Sequence, residues 1–363
     1  MLISKILIGI SAAILLATST VLTGAVYAQN QVTINGAGAT FPFPLIDTWR
    51  VEYKKLHPEV DINYQSIGSG GGVKQFTEKT VDFGATDAPL TQNESQKVPG
   101  VVHIPETIGS VVAAYNIPSI PDKGLKLTGE VLADIFLGKI TKWNDPKIQD
   151  LNKDKTLPGD NIVVVHRSDG SGTTFVWTDY LSNVSPAWKE QLGKGKSVQW
   201  PVGIGAPGNE GVANAIKGTP NTIGYVELSY ALTTNTPFAS MQNKDGNFVE
   251  PSLNSTAAAV QGYVESLPKG DGVWTNVTLV NAPGNNSYPI ASFSYLLLNK
   301  ELSTNPNLDQ AKAKALVDFI SWAISTDGQK IGESLDYVPL PDGVVKLDQD
   351  TLKALTFKGQ PIT

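Results

Sequence analysis

Strand-like and helix-like segments alternate along this chain, and this alternation constrains the fold more than any other feature of the sequence. Residues 60–66 alternate apolar and polar side chains, as a half-buried strand does, whereas residues 110–116 and 292–298 are short apolar runs typical of buried strands. The clearest helix is predicted at residues 309–325, with an apolar stripe of Ala311, Ala315, Leu316, Phe319, Ile320 and Ala323. The pattern predicts an α/β architecture in which helices cover mainly parallel sheets.

Length and composition set further limits on the fold and on the function. The chain has 363 residues, 41% of them hydrophobic and 17% charged, which is enough to bury a large core and excludes a disordered or fibrous chain. Because this length exceeds one typical core, two lobes are expected. With no cysteine and three histidines, disulfides and cysteine nucleophiles are excluded, and we expect no metal site. The formal charge of −6 argues against a nucleic-acid partner.

The N-terminal segment has the pattern of a targeting signal. Lys5 is followed by an apolar run at residues 6–22, and residues 25–28 (Ala-Val-Tyr-Ala) form a small-x-small cleavage pattern. The interpretation is a secretory signal cut after Ala28. An uncleaved membrane anchor is the alternative, since the run approaches the length needed to cross a bilayer.

Three turns rich in glycine and hydroxyl side chains each follow a predicted strand and precede a predicted helix. They lie at residues 36–42, 68–72 and 167–174. Ligands of open α/β sheets bind at the carboxyl ends of strands, and the N-terminus of a helix offers free N–H groups and a partial positive charge. Any one of these turns could be an ordinary connection with a capping Ser or Thr. Three of the same type favour a compact site for an oxyanion.

Arg167 is the most informative single residue in these turns. The chain has two arginines, Arg50 and Arg167, and lysine supplies every other basic side chain. A planar guanidinium pairs with phosphate through two hydrogen bonds, which lysine cannot do. Asp169 is close enough to hold Arg167 in place, and a purely structural Arg167–Asp169 pair is the alternative. Arg50 is expected at the surface of a helix.

Asp87 adds a condition on the anion. A carboxylate repels a fully ionised anion, but it can accept a hydrogen bond from an anion that still carries a proton. Phosphate is protonated near neutral pH and sulfate is not, so an aspartate in the site would admit phosphate and reject sulfate. Taken alone, an Asp before Ala-Pro is often a turn residue.

Several motifs together resemble the phosphate-binding proteins of the phosphate-specific ABC importers. These motifs include Gly-Ala-Gly-Ala-Thr-Phe-Pro from Gly36, Ile-Gly-Ser-Gly-Gly-Gly from Ile67, Val-Asp-Phe-Gly-Ala-Thr-Asp-Ala-Pro from Val81 and Arg-Ser-Asp-Gly-Ser-Gly-Thr from Arg167. They follow the family's order through nearly the whole chain after the signal. The resemblance implies phosphate-binding roles for Thr40, Phe41, Ser69, Asp87, Arg167, Ser171, Gly172 and Thr173, with Asp169 as the partner of Arg167. Gly70 is a departure, because the family commonly has a second serine there; little loss is expected.

The same resemblance implies the architecture and the partners. It predicts a two-lobed, periplasmic-binding-protein-like fold of type II, with a hinge and a ligand cleft between the lobes. Lobe one would combine residues 29–112 with 292–363, and lobe two would hold residues 113–291. The protein would be an exported, non-enzymatic monomer without a cofactor, and it would deliver inorganic phosphate to the membrane subunits of an ABC permease.

Single motifs in the sequence are also compatible with three other functions. Residues 203–208 (Gly-Ile-Gly-Ala-Pro-Gly) match the dinucleotide fingerprint, but Pro201 would disrupt the preceding strand and the following helix is expected to be short. A secreted phosphatase would need Ser69 or Ser171 as a nucleophile, and neither lies in a nucleophile elbow or has an adjacent base. A binder of another oxyanion, such as sulfate, is the third alternative.

Overall fold

The structure is a computed structural model that describes residues 31–362. The predicted signal or anchor segment, including the cut after Ala28, lies outside the described residues. The strands are β1 (Val32–Gly38), β2 (Val60–Ser66), β3 (Phe83–Thr86), β4 (Val101–Asn116), β5 (Lys126–Leu127), β6 (Val163–Arg167), β7 (Ile204–Ala206), β8 (Thr222–Glu227), β9 (Ser240–Gln242), β10 (Phe248–Val249), β11 (Ala291–Asn299), β12 (Thr356–Phe357) and β13 (Gln360–Pro361).

The helices alternate with these strands along much of the chain. They are α1 (Phe43–Leu56), α2 (Ser69–Thr77), α3 (Gln92–Lys97), α4 (Gly129–Phe136), α5 (Pro146–Gln149), α6 (Gly172–Val184), α7 (Pro186–Gln191), α8 (Gly208–Gly218), α9 (Leu228–Thr233), α10 (Leu253–Ala258), α11 (Gln310–Ala323), α12 (Thr326–Glu333) and α13 (Asp342–Lys353), with short 3₁₀ helices at Val264–Ser266 and Leu302–Thr304. Between residues 31 and 362, the helices are too short or too polar to cross a membrane.

One large sheet organises the molecule, with strand order β2-β1-β3-β11-β4-β8-β6-β7. Strands β2, β1 and β3 are parallel to one another, and so are β8, β6 and β7. At the centre, β11 is antiparallel to β3 and β4, and β4 is antiparallel to β8. The α/β prediction is therefore confirmed, but the sheet is parallel at its two ends and antiparallel where they join. The small sheets β10-β9-β5 and β12-β13 lie apart from it.

Strand β4 joins the two ends of the large sheet. Its first part pairs with β11 up to Ser110, and its last part pairs with β8 from Val111 onward. The strand is buried along its length except at Asn116. Because both faces are covered, apolar and polar residues do not alternate along it, and the polar His103, Glu106, Thr107 and Ser110 are buried with the apolar ones.

The helix predicted at residues 309–325 is α11, and its apolar face differs in part from the prediction. Asp309 caps the helix by accepting a hydrogen bond from the Lys312 N–H at 2.8 Å. Leu316, Phe319, Ile320 and Ala323 are buried as predicted, together with Ala313 and Val317. Ala311 is exposed and Ala315 half-buried, because they lie one position off the face that packs on the sheet.

Candidate functional site

The three turns singled out in the sequence do lie at strand-to-helix junctions. They connect β1 to α1, β2 to α2 and β6 to α6. Two of them are shorter than predicted, since β1 extends to Gly38 and the glycines at residues 70–72 already belong to the first turn of α2. Strands β1 and β2 are parallel, and Gly38 pairs with Ser66 where the two strands end. The turns that follow them therefore lie next to each other at the carboxyl ends of the strands.

Ser69 connects two of these turns directly. Its hydroxyl oxygen accepts a hydrogen bond from the Asp87 N–H at 3.2 Å and another from the Gly172 N–H at 3.1 Å. A backbone hydrogen bond from the Gly70 N–H to the Gly170 carbonyl, at 2.8 Å, lies beside them. A Cβ on Gly70 would approach the Gly170 Cα to 3.0 Å, so glycine suits this close approach of the two backbones.

Arg167 and Asp169 form the predicted pair. The guanidinium donates from Nε to Asp169 Oδ1 at 2.7 Å and from Nη2 to Oδ2 at 2.5 Å, and Arg167 is buried at 3% exposure. Burial works against ionisation of Asp169, but the hydrogen bonds and charge of Arg167 outweigh it and hold the pKa of Asp169 below its usual value. Asp169 also accepts a hydrogen bond from the Gly208 N–H at 3.1 Å. Arg50, as expected, is on the surface, paired with Asp47.

Thr40 and Thr173 meet through a residue that the sequence analysis did not identify. Asn209 donates from Nδ2 to the Thr40 hydroxyl at 2.8 Å and to the Thr173 hydroxyl at 3.1 Å. Thr173 lies 3.5 Å from Arg167 Nη1, so it links Asn209 to the arginine. Thr40, Thr173 and Asn209 are each at most 2% exposed.

The glycine motif at residues 203–208 is the sequence signal that could have pointed to Asn209. That motif occupies a fourth strand-to-helix junction, between β7 and α8. The expectation of a short following helix was wrong, because α8 has 11 residues. Gly208 has φ +67°, a conformation that favours glycine, and this turn delivers Asn209 to the first turn of α8.

Ser171, Gly172 and Phe41 lie beside these groups. The Ser171 hydroxyl accepts a hydrogen bond from the Thr174 N–H at 3.0 Å and so caps α6, which leaves its own proton to donate. A Cβ on Gly172 would lie 2.4 Å from Asp87 Oδ2 and 2.5 Å from Ser69 Oγ. Phe41 is fully buried, and its carbonyl accepts a hydrogen bond from the Tyr337 hydroxyl at 2.7 Å.

Asp87 lies next to Ser69, directly after the end of β3. It is 1% exposed, and Oδ1 accepts a hydrogen bond from the Ser294 hydroxyl at 2.9 Å. Oδ2 has no hydrogen-bond partner among residues 31–362. Burial raises the pKa of Asp87 to about 7, although the hydrogen bond from Ser294 and the charge of Arg167 act in the opposite direction. An unpartnered buried carboxylate oxygen beside a guanidinium requires a proton donor of its own.

The arrangement suits a small oxyanion. Helices α1, α2, α6 and α8 all begin at these turns, and each helix N-terminus supplies N–H groups and a partial positive charge. Arg167 is the full cation, and Asp169 offsets part of its charge. Among the described residues, His, Asp and Glu do not cluster in a way that could hold a metal ion. The structure thus brings together every predicted site residue, and it adds Asn209, Ser294 and, through Ser294, Glu106.

Comparison with known proteins identifies close relatives. Residues 24–327 match the family model described as the PBP superfamily domain. The chain is 48% identical over 315 residues to the phosphate-binding protein PstS of Pasteurella multocida, covering 86% of this chain and 88% of that protein. It is 42% identical over 331 residues to the phosphate-binding protein PstS of Methanocaldococcus jannaschii, covering 87% and 84%.

Solved structures show the same fold. A phosphate-binding protein from Stenotrophomonas maltophilia superimposes with a TM-score of 0.63 at 19% identity, covering 88% of this chain and 93% of that one. At this identity the likeness concerns the fold, and it fits the two-lobed periplasmic-binding architecture predicted from the sequence.

Proposed function

This chain belongs to the PstS family of phosphate-binding proteins, within the PBP superfamily, and from that premise we propose how it captures inorganic phosphate for an ABC importer. Phosphate would lie among the N-termini of α1, α2, α6 and α8. Hydroxyl and backbone donors would come from Thr40, Phe41, Ser69, Ser171, Gly172 and Thr173. Arg167, held by Asp169, would pair with the anion, and Asp87 would accept its proton.

The observation that carries this proposal is the free oxygen of Asp87. A site built only from donors would accept any small oxyanion, sulfate included. Asp87 Oδ2 is buried, has no partner among residues 31–362 and lies where the N-terminus of α6 begins. Since it is an acceptor in a site of donors, it favours an anion that still carries a proton. This favours phosphate over sulfate.

The hydrogen bonds of the site also support a hinged closure. We assign residues 29–112 and 292–363 to lobe one and residues 113–291 to lobe two, with the crossings in β4 near Ser110 and before β11. Under this division Ser69 and Gly172 lie on opposite lobes, as do Thr40 and Asn209. Closure around a ligand would therefore complete the site, a common mode of domain motion.

The wider role follows from the family. We propose that the protein is exported, acts as a monomer without catalysis and presents its closed, phosphate-bound form to the membrane subunits of an ABC permease. The contacts of the two serines support binding and release rather than chemistry, because within residues 31–362 the hydroxyls of Ser69 and Ser171 hydrogen-bond to backbone N–H groups and not to a side-chain base.

Isothermal titration calorimetry with phosphate and with sulfate tests the proposal. We expect saturable heat with phosphate at a stoichiometry of about one, and affinity for sulfate weaker by at least about 100-fold, as expected when a buried charge is left unpaired against the wrong ligand. Equal affinity for the two anions, or no heat with phosphate, would contradict the proposed function.

A further inference from the structure

A second buried carboxyl lies one hydrogen bond away from Asp87. The Ser294 hydroxyl oxygen is 2.9 Å from Asp87 Oδ1 and 2.9 Å from Glu106 Oε1. Glu106 and Ser294 are fully buried, and Asp87 is 1% exposed. The three residues come from the end of β3, from β11 and from β4, which are neighbours in the sheet. Nothing in the sequence motifs had drawn attention to Glu106.

A β-bulge places the Glu106 side chain there. Ser294 pairs with Thr107 and Tyr295 pairs with Pro105, so Glu106 is the extra residue on β4. In a regular ladder, neighbouring residues would alternate between the two faces of the sheet. A bulge redirects one side chain at the expense of local pairing, and bulges of this kind are common beside functional sites.

The number of protons in this group is constrained. A serine hydroxyl has one hydrogen to donate, yet Ser294 is within hydrogen-bond distance of two carboxyl groups. For both contacts to be hydrogen bonds, one carboxyl must be protonated and donate to Ser294. Two ionised carboxylates sharing one hydroxyl in a dry interior would also repel each other strongly.

The surroundings decide which carboxyl holds the proton. Burial raises the pKa of Glu106 to about 8, and the negative charge of Asp87 adds to this. Asp87 is buried too, but the charge of Arg167 favours its ionised form. Among the described residues, the phenols of Tyr64 and Tyr295 also lie near enough to interact with this pair. Burial raises the pKa of both phenols above the usual value, so they stay neutral. The proton therefore belongs on Glu106.

We propose that Glu106 is a positioning residue for phosphate recognition: as a neutral acid it donates to Ser294, Ser294 donates to Asp87 Oδ1, and Asp87 is kept as an ionised acceptor whose Oδ2 meets the proton of the ligand. This inference rests on the proposed function and extends it to a residue outside the ligand's reach. An anion bound beside Asp87 adds negative charge and so favours the protonated form of Glu106. Above about pH 8, binding should therefore take up a proton at Glu106.

The pH profile of phosphate affinity tests the role of Glu106. In the unaltered protein, Kd should rise by roughly eightfold between about pH 7.5 and about pH 9, where the monohydrogen phosphate dianion predominates, because ionised Glu106 competes for the Ser294 proton. Glu106→Gln keeps a neutral donor to Ser294. Its Kd should stay within roughly threefold of the unaltered protein at about pH 7.5 and change by less than about twofold over the range.

Glu227→Gln is the matched control. Glu227 is also fully buried with its pKa raised to about 8 by burial, but its carboxylate contacts Ser229 and Tyr337 instead of the Asp87 group. This variant should keep the roughly eightfold alkaline loss. If Glu106→Gln keeps the loss, or if Glu227→Gln removes it instead, the proposal is wrong.

A measurement on the unaltered protein keeps the proposal testable even if the variants fold poorly. Phosphate titrations at about pH 8.5, in two buffers of different ionisation enthalpy, give the number of protons taken up on binding. We expect roughly three quarters of a proton per phosphate, the ionised fraction of a group with a pKa of about 8 at that pH. Phosphate binding without proton uptake would overturn the role of Glu106 alone, whereas no binding at all would overturn the proposed function.

Discussion

Replacing Arg167 by lysine tests whether the guanidinium fork, and not merely a positive charge, is needed in the site. Arg167 holds Asp169 through two hydrogen bonds, from Nε at 2.7 Å and from Nη2 at 2.5 Å, and Nη1 lies 3.5 Å from the Thr173 hydroxyl. A lysine ammonium is a single, strongly hydrated centre on a flexible stem. It cannot engage Asp169 through two parallel hydrogen bonds and still present a donor to a ligand.

The size of the effect follows from these contacts. A hydrogen bond to a charged group contributes about 1.5 to 3 kcal/mol, and the lysine variant loses at least one such bond, either to Asp169 or to the anion. At 25 °C this corresponds to phosphate binding weakened by about 10-fold to about 150-fold. Burial of Arg167 places the effect at the upper end, because a lysine ammonium at 3% exposure would also be poorly hydrated.

Calorimetry on the two arginine variants provides the comparison. Arg50 is the only other arginine in the chain. It lies in α1, where its Nε is 2.6 Å from Asp47 Oδ1 and both side chains are exposed to solvent. Arg50→Lys should leave phosphate affinity within about twofold, since exposed ion pairs contribute little. If Arg167→Lys also binds phosphate within about twofold of the unaltered protein, the guanidinium does not lie in the phosphate site and the reasoning fails.

Three further predictions concern other parts of the molecule. Asp87→Ala should reduce the preference for phosphate over sulfate by at least about tenfold in competition titrations, because the repulsive acceptor is gone; equal losses for both anions would refute its role. Gly172→Ala should weaken phosphate binding by at least about fivefold, since its Cβ would lie 2.4 Å from Asp87 Oδ2, whereas Gly218→Ala in α8 meets nothing within 4 Å and should bind normally. His103 is 3% exposed, and burial lowers its pKa from 6.5 to about 4. Below about pH 6.5 the unfolded chain binds this proton and the folded chain does not, so unfolding free energy should fall by about 3 kcal/mol towards pH 4. Urea titrations at several pH values measure this loss, and His103→Gln should lack it. If the unfolding free energy of the variant falls as steeply with pH as that of the unaltered protein, the prediction is wrong.

Local patterns predicted most of the secondary structure and the turns. The strand at residues 60–66 is β2 with the predicted bounds, and Thr128, a residue type common at helix N-caps, caps α4 by accepting a hydrogen bond from the Val131 N–H. These features depend on residues within a few positions of one another, so the sequence contains their signal. The antiparallel centre of the sheet was not predicted, because the pairing of β4 with β11 joins segments almost 200 residues apart, as the Ser294–Glu106 contact shows.

The candidate site divides in the same way. Arg167 was identified because arginine is rare in this chain and because Arg167 begins a glycine-rich turn. Asp169 was identified because it lies two residues after Arg167. Asn209, Ser294 and Glu106 were missed, since their polar contacts are made across the fold. The glycine motif before Asn209 was a local signal, whereas nothing in the local sequence distinguishes Ser294 or Glu106. Glu106 in particular lies within the buried strand β4, and the bulge in that strand explains how its side chain reaches Ser294.

A crystal structure of the protein grown with phosphate tests the central claim most directly. We predict one phosphate at the N-termini of α2 and α6, with a phosphate oxygen within hydrogen-bond distance of Asp87 Oδ2 and another within reach of the Arg167 guanidinium. Phosphate bound elsewhere, or bound in that place with Asp87 turned away from it, would contradict the account.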